Sequence, residues 1–187
     1  MKVLIIGAAG NIGRIISREL GKKYEIITAG RNSGEIRADL SSPASITEMF
    51  SKLQNIDACI CVAGQSYLGD FPSMTQEDMQ LSIQDKLIGQ INLVSIGMDY
   101  LNDNGSFTLI SGKMGDQPSK FSVGKAISNG GINSFTRAAA MEMPRGIRLN
   151  TVSPGKISDI TIEDLTHAYL QSIEGQINGE IIKVNYN

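Results

Sequence analysis

The stretch Val3-Leu4-Ile5-Ile6-Gly7-Ala8-Ala9-Gly10-Asn11-Ile12-Gly13 decides how the rest of the chain is read. Four apolar residues in unbroken succession suit a strand buried on both faces. Glycines at positions 7, 10 and 13 follow, and Ile12, Ile15, Ile16 and Leu20 then recur at helical spacing until Gly21. A glycine triplet alone is a weak signal, because tight strand-to-helix turns use glycine for steric reasons. Between a strand and a helix, with a second strand at residues 24–28, it predicts a dinucleotide site. Gly7 permits the turn, Gly10 lets a pyrophosphate approach the backbone, and Gly13 lets the helix pack closely. The first N–H groups of the helix then face the phosphates, which assigns Ala9, Asn11 and Ile12 to the same site.

Outward from that turn, apolar strands alternate with helical segments. Further strands are expected at 35–38, 56–62, 107–110, 147–152 and 180–184. Helices are expected at 43–53, at 75–101 with a break near Ser82, at 126–143 and at 162–170. Strands apolar on both faces and joined through helices predict an α/β fold, a single doubly wound parallel sheet of Rossmann type with about seven strands. No repeat or linker divides the 187 residues, so one domain is expected.

Composition narrows the function. Apolar residues make up 41% and the formal net charge is −2, which argues against a nucleic-acid partner. No apolar run reaches the ~18–20 residues of a membrane span, and the start lacks the pattern of a signal peptide, so a cytoplasmic protein is expected. The two cysteines, Cys59 and Cys61, alternate in an apolar strand and read as core. With one histidine, His167, and no second cysteine pair, no metal site is expected. The second strand ends in Thr28-Ala29-Gly30-Arg31-Asn32-Ser33, with no acid where an NAD site places one to hold the ribose hydroxyls. Arg31 can pair with a 2′-phosphate, and Asn32 and Ser33 add neutral donors, so NADP(H) is expected over NAD(H).

The sequence resembles the short-chain dehydrogenase/reductase family over nearly its whole length. The resemblance rests on the glycine turn, Ala38-Asp39-Leu40, Cys61-Val62-Ala63-Gly64, the run from Arg145-Gly146-Ile147-Arg148 to Pro154-Gly155, and residues 179–184. It implies that Asp39 and Leu40 lie by the adenine, Ala63 and Gly64 by the adenosine ribose, and Pro154 and Gly155 by the nicotinamide. It also implies a carbonyl or alcohol substrate and a homodimer or homotetramer built on the helices near 84–100 and 126–143. The same apolar helix residues would equally serve a core face.

The usual catalytic serine, tyrosine, lysine and asparagine are not retained. Phe121 and Lys125 stand at the tyrosine–lysine spacing, but counting back from Ala140-Met141-Glu142 puts the tyrosine position on Lys125 and the lysine position on Asn129. The serine position then falls on Gly112, beside Ser111, and the supporting asparagine on Lys86. Ser111, Lys125, Lys86 and Asn129 are therefore the candidate catalytic residues, with Lys125 as proton donor if burial or Lys86 makes it acidic enough. The segment between the sixth strand and the last helix, at 156–163, is a short lid. These departures leave two readings, an oxidoreductase with a rearranged donor or a non-catalytic NADP(H)-binding sensor or scaffold.

Overall fold

The computed structural model describes residues 1–186. Seven strands form one parallel sheet in the order β3-β2-β1-β4-β5-β6-β7, the doubly wound arrangement read from the sequence. They are β1 (Lys2–Ile6), β2 (Glu25–Gly30), β3 (Ile36–Arg37), β4 (Ile56–Cys61), β5 (Leu101–Ile110), β6 (Arg148–Pro154) and β7 (Ile181–Val184). The helices are α1 (Asn11–Leu20), α2 (Pro43–Ser51), α3 (Gln76–Gln80), α4 (Gly89–Gly97), α5 (Val123–Ala139) and α6 (Ile162–Glu174). Between α3 and α4 the chain continues through wide π-type turns at Leu81–Ile88, next to the break anticipated at Ser82.

The sheet carries a core on each face, and β1 shows why its residues are all apolar. Leu4 and Ile6 pack with Phe50, Leu93, Phe107 and Ile132 on one side. Val3 and Ile5 pack with Ile16, Leu20, Leu165 and Tyr169 on the other. Alternation along a strand sends successive side chains to opposite faces, so a doubly covered strand cannot alternate in polarity. Cys59 and Cys61, two apart, fall on the same face and are fully buried. Burial pushes the Cys61 thiol up to about 12, and Cys59 also shifts upward for that reason. Phe135 and Ala139 of α5 also pack against the first core.

Two boundaries differ from the sequence reading. The long helix ends at Gly97, and β5 begins at Leu101, six residues before the expected strand at 107. Asn102-Asp103-Asn104-Gly105 reads as a turn, yet Leu101 pairs with Ile56 before a register shift, and Asn102 Nδ2 donates to Asp57 at 2.7 Å. In α5 the helix runs from Val123 to Ala139, so Ala140-Met141-Glu142 lies in the turn after it.

The first part of the family-like run, from Arg145 to Asn150, serves as scaffold. Arg145 donates to the Leu101 carbonyl at 2.9 Å, and Gly146 takes φ +70° against the Asn104 side chain. Arg148 donates to the Ser172 and Ile173 carbonyls at 2.6 and 3.0 Å, which satisfies the C-terminal end of α6. Asn150 donates to the Ile177 carbonyl and accepts from the Glu180 N–H, fixing the approach to β7.

Candidate active site

Strand order reverses between β1 and β4, and at such a switch point the crevice opens beyond the strand C-termini. Two adjoining cavities occupy it. The first, about 240 Å³, is lined by Gly7, Ala9, Gly10, Gly30, Arg31, Asn32, Ser33, Ala38, Leu40, Ala63 and Gly64, among others. The second, about 550 Å³, is lined by Ile12, Lys86, Ser111, Gly112, Lys125, Asn129, Pro154 and Gly155 together with Lys113, Met114, Lys156 and Ile157.

The glycine turn has the steric reasons its sequence suggested. Gly7 has φ +87°, and a Cβ on Gly13 would stand 2.2 Å from the Gly7 carbonyl oxygen. No side chain caps α1, so its first N–H groups are left for a ligand. An open cradle, bare donors and an adjoining apolar slot fit a dinucleotide. Asn11 begins α1 and lies exposed beside Arg14. Asn11 and Gly13 help to shape the turn without lining the first cavity.

The far end of the first cavity holds an arrangement the sequence did not announce. Arg31 Nη2 donates to Asp39 at 3.0 Å and to Asp85 at 2.5 Å. These bonds raise the pKa of Arg31, Asp85 contributing most. Asp39 stays below the usual carboxylate range, first through the Ser41 hydroxyl and also through Arg31. Asp39 thus faces Arg31 and Ser41, while its neighbours Ala38 and Leu40 line the cavity. Asp85 also accepts from the Gln65 N–H at 2.8 Å, joining the loop after β4 to the π-type segment. A carboxylate 54 residues from its arginine leaves no local sequence signal.

In the second cavity, Lys125 and Asn129 lie one turn apart on α5, while Phe121 stands before the helix with φ +71° and is exposed. Lys86 enters from the π-type segment with only 9% exposure, and its Nζ donates to the Ser111 carbonyl at 3.2 Å. Burial, then the charge of Lys125, lowers the Lys86 pKa to about 8. The lowering that the expected donor role asks of Lys125 is found at its neighbour Lys86. Gly64, at φ +115°, makes room for it: a Cβ there would lie 2.9 Å from the Lys86 Cα.

Ser111 is placed by a residue the sequence reading passed over. Gln90, fully buried on α4, donates to the Ile110 carbonyl and accepts from the Ile110 N–H, both at 3.0 Å. Its amide thus satisfies both backbone groups at the end of β5, and Ser111 N–H donates to the Val152 carbonyl at 3.0 Å. The Ser111 hydroxyl and Asn129 Oδ1 are buried without a hydrogen-bond partner among the described residues. Buried polar atoms are rarely left so, and two of them lining one cavity mark where a ligand's polar atoms belong.

The enoyl-(acyl carrier protein) reductase family model matches residues 13–180. The chain belongs to the short-chain dehydrogenase/reductase family. Among solved structures, the protein lin1944 from Listeria innocua is 38% identical, with a TM-score of 0.93 and 98% of each chain covered. A small-chain dehydrogenase solved with NADPH shares the fold at TM-score 0.89 and 23% identity, covering 100% of this chain and 97% of its own. The uncharacterized oxidoreductase YmfI of Bacillus subtilis (strain 168) is 28% identical over 93% of this chain and 82% of its own length. Among the described residues, no helix is long and apolar enough to cross a membrane.

Proposed function

We propose that this short-chain dehydrogenase/reductase interconverts a carbonyl and an alcohol with NADP(H), the whole chain forming one cofactor-binding domain. The observation that carries the reading is the meeting of Ser111, Lys86, Lys125 and Asn129 around one cavity that adjoins the glycine turn. NADPH in a protein of the same fold supports a nicotinamide cofactor. When bound, that cofactor supplies or accepts the hydride. The glycine turn and the start of α1 hold its phosphates, and Arg31 with Asn32 and Ser33 holds the adenosine end.

In the reductive direction, the Ser111 hydroxyl donates to the carbonyl oxygen and keeps it beside the lysines. Lys86 and Lys125 stabilise the negative charge that develops there. Lys125, at the position of the usual tyrosine, gives the oxygen its proton and recovers one from water. Asn129 Oδ1 accepts from the hydroxyl so formed. Oxidation of an alcohol runs through the same groups in reverse.

The test is a carbonyl panel followed at the nicotinamide absorbance band. Lys125→Met should abolish turnover and leave NADPH affinity unchanged. Wild type that binds NADPH but reduces nothing in the panel, with the Lys125→Tyr and Asn129→Lys double variant failing as well, would favour a cofactor-binding sensor or scaffold instead.

A further inference from the structure

We infer that the substrate is a short oxo acid, its carboxylate held by the lysines around the second cavity and its carbonyl by Ser111. This rests on the carbonyl–alcohol reading above and adds the substrate class. Among the described residues, four lysines line that cavity, Lys86, Lys113, Lys125 and Lys156, and no aspartate or glutamate does. They come from four places in the chain: the π-type segment, the turn after β5, α5 and the turn after β6. A molecule of net charge −2 has therefore gathered like charges at one wall, which costs Coulomb energy unless an anion offsets it.

Among the described residues, neighbouring groups do little to offset that charge. Lys86 and Lys125 form no ion pair among the described residues, and Lys156 reaches only Asp159, at 3.9 Å. Lys113 donates to the Tyr186 carbonyl, a neutral acceptor. The phosphate cradle at the glycine turn touches this cavity only at Ile12, so the cofactor phosphates do not by themselves account for four lysines. The unpartnered Ser111 hydroxyl and Asn129 Oδ1 supply the second, independent sign of a ligand. Both residues are 4% exposed and line the cavity, and a hydroxyl donor with an amide acceptor suits an oxygen that alternates between carbonyl and hydroxyl. A cavity of about 550 Å³ takes the nicotinamide with a small acid beside it.

Calorimetry on the full chain with NADP⁺ present tests this without turnover. The probes are 3-oxobutanoate and 2-oxobutanoate, each against its methyl ester, with inorganic phosphate as a competitor. At least one acid should bind about tenfold or more tighter than its ester, as expected for one charge-assisted contact. That advantage should shrink as salt rises and disappear in Lys125→Met, because the charged acid loses far more affinity than its ester. Lys86→Met should act likewise where it folds. Esters binding as tightly as acids, no binding by either acid, or an advantage that survives Lys125→Met would overturn the inference. Phosphate competing as strongly as the acids would also overturn it, by showing a general anion site. An acid that binds in this way but is never reduced would keep the anion site and overturn both the acid's place as substrate and the reductase reading.

Discussion

Arg31 is the residue proposed to take the 2′-phosphate, and Asp39 and Asp85 already hold it. On that proposal NADPH has to compete with two carboxylates. Arg31→Ala should weaken NADPH binding about tenfold or more with little change for NADH, since only NADPH carries the extra phosphate. Asp85→Asn keeps an acceptor for the Gln65 N–H and removes one competitor, so it should tighten NADPH severalfold. Titration of both cofactors against both variants checks these signs. Lys86 makes a separate prediction through pH. Its pKa is lowered from 10.5 to about 8 in the fold, so between those values the unfolded chain holds a proton that the folded one has released. Unfolding free energy should rise with pH across that window. Lys86→Met should remove the dependence and add about 1–3 kcal/mol at neutral pH, measured by denaturant unfolding.

Elements meet the site through groups whose roles depend on burial. The Gln90 amide lets α4 complete the end of β5, and Gln90→Leu would leave the Ile110 N–H and carbonyl buried and unpaired. Stability should fall by about 2–4 kcal/mol, with catalytic loss from a displaced Ser111. On α6 the case is reversed. Tyr169 is fully buried, and its hydroxyl has no partner among the described residues. Tyr169→Phe should leave activity intact and raise stability by about 1 kcal/mol, because it removes a desolvated hydroxyl and keeps the ring. Thermal and denaturant melts of both variants distinguish a satisfied buried amide from an unsatisfied buried hydroxyl.

Across the whole molecule, the sheet delivers the ends of β1, β2, β4, β5 and β6 to one crevice, so catalysis can be altered without altering the scaffold. Lys125→Tyr combined with Asn129→Lys restores the family pair on α5 and should raise any residual reductase rate in the carbonyl panel. The sequence by itself determined the strands, the glycine turn and the family, because doubly buried strands and tight turns constrain residue type locally. It also placed Lys125 and Asn129 on one face of α5, since residues four apart share a helix face. β5 back to Leu101 was hidden, because Asn102 to Gly105 carry turn chemistry and only pairing with β4 makes Leu101 a strand residue. Tertiary structure alone decided the Asp85–Arg31 pair, the Gln90 brace and the wall of four lysines. Each joins residues that are distant in the chain, and contact, burial and charge between such residues arise only when the fold brings them together.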